Sequence, residues 1–141
     1  MTNVLRNYAC AALAEAARKI IIDEMNEKRG KPKTYTPPTD FEYADEVPWR
    51  GIFKVQEEMN EFGVELMKLS AFPSGTYPDH GGVERNLLVD VIKEATDVRA
   101  AMDYFMETNG ITINWERYRE KREKFALWGL SGIPDTGERH A

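Results

Sequence analysis

Apolar positions recur at helical spacing in four stretches of the chain, and no stretch alternates long enough to read as a convincing strand. In the first, Leu5, Ala9, Ala12, Leu13, Ala16, Ile20 and Ile21 mark one face of a helix over 4–29, which Gly30 and Pro32 stop. A second helix is predicted over 51–70, closed by Pro73 and Gly75, and a third over 84–108, ended by Asn109–Gly110. Asn114 is placed to cap a fourth over 115–128, which Gly129 stops. Between the first two helices, "KPKTYTPPTDFEYADEVPW" (31–49) carries four prolines and no helical period. It reads as an ordered or semi-ordered loop, with Tyr35, Phe41, Tyr43 and Trp49 pinning it to the body or walling a site. Residues 72–82 read as a second loop and 130–141 as a polar tail. The expectation is one all-α domain over 1–141: a helix and loop (1–50), a helical core (51–129) and a tail, arranged as a four-helix bundle.

The acids of the second helix are not placed opposite its apolar side. With Glu58 at zero and about 100° per residue, Glu61 lies near 300° and Glu65 near 340°. Leu69, Phe62, Val55, Leu66, Met59 and Ile52 fill roughly 20° to 120° on the same wheel. Glu57 lies farther round, near about 260°. The third helix repeats the layout: with Glu94 at zero, Asp90 falls near 320°, Asp97 near 300°, and Leu87, Val98, Phe105, Val91, Met102, Ala95 and Leu88 fill roughly 20° to 120°. If the two apolar arcs pack, the two acidic stripes meet along the seam.

Carboxylates facing each other at low dielectric repel strongly. Such a seam protonates, is avoided, or binds a cation. All-oxygen ligands suit hard divalent ions such as Mg²⁺ or Mn²⁺, which keep waters and bind phosphates. The other reading is that each stripe faces solvent and pairs with lysines and arginines. A di-iron bundle would need Glu-x-x-His pairs. Neither acidic helix contains a histidine; His80 lies in a loop and His140 in the tail.

Charge and composition narrow the classes. Net charge is −5, which speaks against a broad nucleic-acid-binding face. Cys10 is the one cysteine, so no internal disulfide forms, as in a reducing compartment. No apolar run approaches the roughly 20 residues of a membrane span, and no signal peptide is evident. The expectation is a soluble, cytoplasmic protein without nucleic-acid or membrane partners.

The order of the acids carries a resemblance. "EEMNE" gives Glu57-Glu58-x-x-Glu61, and "EATD" gives Glu94-x-x-Asp97. An E-E-x-x-E helix followed by an E-x-x-D helix resembles the MazG-like superfamily of all-α nucleoside triphosphate pyrophosphohydrolases. "NLLVDVIKEATDVRAAMDYF" (86–105) is similar to that family's asparagine-led second motif helix, and "YREKREKFALWG" (118–129) to the helix that follows it. The resemblance covers roughly residues 50–129. Two positions depart from the family pattern: Thr96 stands where a glycine usually precedes the aspartate, and Ala71 where a basic residue often precedes the phenylalanine.

The resemblance implies Mg²⁺- or Mn²⁺-dependent cleavage of a (d)NTP between its α- and β-phosphates, giving a nucleoside monophosphate and pyrophosphate. The aromatics near the first motif lean the substrate toward a purine dNTP; phosphoribosyl-ATP and dUTP are the related alternatives, and a non-catalytic helical interaction module is the one outside enzymology. Glu58, Glu61, Glu94 and Asp97 become the metal ligands, and Glu57 and Glu58 the catalytic pair, with Glu57 ligating or orienting the attacking water. Asp90 is a further ligand or an ordinary helix acid, and Glu65 a site member or a surface acid paired with Lys68 or Lys54. Lys121 and Lys124 either hold phosphate or pair within their helix with Glu116, Glu120 and Glu123. Lys93 reaches phosphate or solvent, and Asn86 reads the nucleotide or caps the third helix. Phe53, Trp49, Tyr35 and Tyr104 are the candidates for stacking on a base. Family members assemble as homodimers or homotetramers.

Overall fold

The computed structural model describes residues 3–31, 48–78, 81–82 and 84–129, with side chains from Cys10 onward and excepting Pro78. Tyr35, Phe41, Tyr43, His80, His140 and the tail lie outside the described residues. Among the described residues there are four helices: α1 (Asn3–Lys28), α2 (Ile52–Ala71), α3 (Leu87–Thr108) and α4 (Trp115–Leu127). Between α2 and α3 lies a short antiparallel hairpin, β1 (Thr76–Pro78) with β2 (Glu84–Asn86), in register Thr76 to Asn86 and Pro78 to Glu84. This hairpin corrects the all-loop reading of 72–82 and moves the start of α3 from 84 to 87. Three-residue strands are too short to show a period of two, so alternation had nothing to register.

Asn86 marks the switch from strand to helix. Its side-chain oxygen accepts from the Leu88 N–H, and its amide donates to the Leu13 carbonyl at 3.1 Å. The cap satisfies an orphan donor of α3 while tying α1 to the hairpin. Asn114 caps α4 in the same manner, accepting from the Arg117 N–H.

α2 and α3 run antiparallel and form the main contact of the fold. At one end Leu87 N–H donates to the Gly75 carbonyl; at the other the Asn109 amide donates to the Arg50 carbonyl at 2.8 Å. Gly51, with φ of 89°, brings backbone against the Tyr104 ring, where an added Cβ would sit 3.1 Å from the ring carbon. α1 packs on α3 and runs parallel to it, with Leu13 at Asn86 and Glu24 at Lys93. α4 makes only marginal contact with the other helices, so the described residues do not close as a four-helix bundle within one chain.

Few side chains are fully covered. Ala17 and Leu87 are the buried apolar residues, and no large side chain is completely buried among the described residues. Ala12, Ala16 and Ile20, expected on the covered side of α1, are exposed; Leu13 and Ile21 are half-buried, while Leu5 and Ala9 carry no described side chain. Met59 and Leu66, expected in the core, are 55% and 40% exposed. The covered side of α2 reaches past the apolar arc into the acidic stripe: Glu58 is buried, and Ile52, Lys54, Val55, Phe62, Gly63, Glu65 and Leu69 are half-buried, spanning about 320° through zero to about 140°.

Gly75 holds a positive φ of 78°, and an added Cβ would collide with Leu13 Cδ2. Gly75→Ala is therefore expected to cost about 1–2 kcal/mol from the left-handed backbone alone. Urea unfolding should show a lowered midpoint, and faster amide exchange in α1 should accompany it as Leu13 is pushed off.

Candidate metal centre

The covered side of α2 takes two of its acids, Glu58 and Glu65, out of solvent. Glu58 is 6% exposed and is the buried charged residue among those described. One carboxylate oxygen from each of Glu58, Glu94 and Asp97 lies within 4.8 Å of the others. Glu58 is buried, Glu94 half-buried and Asp97 exposed, so the cluster grades from the helix seam to solvent. Glu94 and Asp97, one turn apart on α3, flank Glu58 from the facing helix, as the matched acidic stripes predict.

Cation compensation is incomplete. Lys54 Nζ lies 2.7 Å from Glu58 Oε1 and also reaches Glu57 at 3.4 Å. The second oxygens of Glu58 and Glu94 are buried without a hydrogen-bond partner. Burial pushes the Glu94 carboxyl above its ordinary range, and the negative charges of Glu61, Asp97 and Glu58 add to the effect. Asp97 is raised by burial and by Glu58, against a smaller opposing pull from Lys54 and Lys93. Lys54 is held above its ordinary range by its hydrogen bond to Glu58. An unpaired buried oxygen beside two further carboxylates is a costly arrangement for the bare protein and a fitting one for a hard cation.

The remaining sequence candidates are spread around this cluster. Glu61 is exposed and close enough to Glu94 to raise its pKa and to share a proton with it, but it is not one of the three converging carboxylates. Glu57 is exposed at the rim and shares Lys54 with Glu58. Glu65 pairs with Lys68 at 3.1 Å, yet its side chain is only 14% exposed and its other oxygen is buried without a partner. It is not the simple surface acid that its spacing allowed. Asp90 pairs with Arg85, a partner outside its own helix. Lys93 bonds Glu24 of α1 at 2.6 Å, and each holds the other charged: Glu24 falls below and Lys93 rises above its ordinary range. Sequence periodicity within single helices had no means of finding that pair.

Asn86 is occupied as a cap and tie, the structural one of its two roles. Lys121 is half-buried on α4, and Lys124 lies 4.8 Å from the Trp128 ring centroid, a cation–π contact. Neither appears in an ion pair with Glu116, Glu120 or Glu123 among the described residues. Trp49, Phe53 and Tyr104 are each 45–52% exposed, and Tyr104 lies against Gly51.

The raised carboxyls set a pH dependence whose sign follows from linkage. As pH rises from the ordinary carboxyl values of 4.5 and 3.8, the unfolded chain releases these protons before the folded one does. The folded state then holds more protons, so stability falls as pH rises through the raised values, and the penalty is absent below the ordinary ones. Metal-free wild type should therefore lose stability across this window relative to a Glu94→Gln/Asp97→Asn variant. Thermal melts in chelator between pH 4 and 7 read the difference; parallel curves would contradict it. Added Mn²⁺ should have the opposite dependence, its stabilisation shrinking as protons compete for the same oxygens.

No helix among the described residues is long and apolar enough to cross a membrane. Comparison with protein-family profiles, with characterised proteins and with solved structures finds no match to this chain.

Proposed function

We propose that the protein is a Mg²⁺- or Mn²⁺-dependent nucleoside triphosphate pyrophosphohydrolase that splits a (d)NTP into a nucleoside monophosphate and pyrophosphate. The observation that supports it best is the convergence of Glu58, Glu94 and Asp97 on one point, with buried carboxylate oxygens lacking any partner. The E-E-x-x-E and E-x-x-D spacing supplies the reaction class by resemblance. In this reading Glu58, Glu94 and Asp97 hold the cation, and Glu61 completes the ligand set beside Glu94. A divalent ion held there would neutralise charge on phosphate oxygens and acidify water. Glu57, exposed at the rim and paired with Lys54, would serve as the base toward the attacking water.

Lys54 holds one carboxylate oxygen of Glu58 at 2.7 Å, and the other oxygen is buried without a hydrogen-bond partner. Lys93 lies on α3 one residue before Glu94 and pairs with phosphate once drawn from Glu24. Lys121 and Lys124 are further phosphate contacts, brought to a site by assembly into a homodimer or homotetramer. The working compartment in this reading is the cytoplasm. Purified protein with Mn²⁺ should release pyrophosphate from at least one member of a panel of dNTPs, dUTP, NTPs and phosphoribosyl-ATP. Comparative turnover names the substrate; no release from the whole panel would sink the reading.

A further inference from the structure

Ala17 of α1 is completely covered, Ile21 and Glu24 on the same face one and two turns onward are half-buried, and the Glu24–Lys93 pair joins α1 to α3. Between them lies an open cleft of about 330 Å³. That is the small end of the roughly 300–1,000 Å³ range of ligand sites.

The walls of the cleft are Ile21 and Met25 from α1 and Ile92 from α3, with Thr96 also on the α3 side. Isoleucine and methionine present flat, polarisable surfaces, and a thioether packs favourably on aromatic rings. Thr96 donates its hydroxyl to the Ile92 carbonyl at 2.6 Å, which leaves its oxygen able to accept. Glu24 and Lys28 offer an acceptor and a donor at the rim for the edge of a ring. Asp97 lines this cleft and belongs to the acidic triad as well. A ligand anchored by phosphate at the triad thus has its organic part within reach of the cleft, and Lys93 lies one helical turn before Asp97 on the same helix.

We propose that the α1/α3 cleft binds the heteroaromatic ring of a phosphorylated ligand, a nucleobase-type ring whose phosphates reach the acidic triad. The inference rests on the metal-centre reading above and relocates the ring from the stacking candidates Trp49, Phe53, Tyr35 and Tyr104, of which Tyr104 lies against Gly51. It also gives Glu24 a function: it holds Lys93 beside the cleft until phosphate displaces it.

The test is calorimetry on the full chain loaded with Mn²⁺. The probes are inorganic tripolyphosphate and the non-hydrolysable α,β-imido analogues of dATP, dGTP, dCTP and dTTP. At least one nucleotide should bind about tenfold or more tighter than tripolyphosphate, a difference of about 1.4 kcal/mol. Thr96→Phe, at an exposed position, fills the cleft, and Met25→Glu charges its wall. Both should bring that nucleotide to the affinity of tripolyphosphate while Mn²⁺ and tripolyphosphate binding persist. Equal affinity of all five probes for the wild type, or an unchanged preference in both variants, overturns the cleft alone. A wild type that binds no Mn²⁺ overturns the metal reading and the cleft with it.

Discussion

Glu94→Gln is expected to make the metal-free protein more heat-stable and to remove most of its response to Mn²⁺. Glu94 has a buried, unpartnered oxygen, and its carboxyl is raised by burial and by three neighbouring acids. No lysine or arginine ion pair is found for it among the described residues. Removing its charge therefore removes repulsion without orphaning a cation, and the chelated protein should melt a few degrees higher. The metal consequence runs the other way. An ion that binds only the folded state stabilises it by about 2.7 kcal/mol at 100 times Kd. Losing an outer-shell partner of a metal typically costs about 10–100-fold in affinity, and losing a ligand should cost at least as much. Differential scanning fluorimetry with and without millimolar Mn²⁺ reads both effects. Glu58→Gln provides the contrast: it also loses the metal response, but it takes from Lys54 its closer carboxylate at 2.7 Å and leaves only Glu57 at 3.4 Å. Its gain in metal-free stability should be smaller than that of Glu94→Gln. A variant at Glu94 that shifts with Mn²⁺ as the wild type does would remove the triad as the metal centre.

The acids were legible because two wheels drawn separately have the same layout. Glu58 and Glu94 hold matching places beside their apolar arcs, Asp97 matches Glu61, and an antiparallel helix pair brings matching angles to the same side. Helix ends marked by capping chemistry were legible too, as Asn114 shows. What a wheel cannot supply is how much of a helix its partner covers. Glu58 reads as bordering the apolar arc, whereas it is buried, and Met59 and Leu66 are exposed. The start of α3 was misplaced because β2 is too short to show its period. The Glu24–Lys93 pair and the cleft beside it depend on where α1 docks. That position is set by Ala17, Leu13 and Gly75 acting across the sequence, and no local pattern records it.

The outward-turned residues carry the other large expected effect. Met59 and Leu66 on α2 and Met102 on α3 all lie at about 80° to 100° on wheels whose zero is the seam acid. In an antiparallel pair these angles fall on one side of the hairpin, and the exposed acids Glu57, Glu61 and Asp97 fall on the other. α1 pairs with Lys93 and faces Ile92 and Thr96 across the cleft, all away from the Met102 side of α3. In the homo-oligomer proposed above this side would be the interface, with two copies meeting face to face over the exposed Met59, Leu66 and Met102. A two-fold interface contains each substitution twice, so its cost is doubled. Leu66→Glu places an unpaired charge in the contact in both copies and should raise the dissociation constant by about 100-fold or more, equivalent to about 2.7 kcal/mol. Light scattering after size exclusion should find the wild type as a dimer or tetramer and Leu66→Glu as a monomer with a lowered melting temperature. Met67→Glu, at a position 73% exposed and about 100° farther round the helix, should leave assembly intact. A monomeric wild type, or assembly equally lost in both variants, would remove this side of the hairpin as the interface.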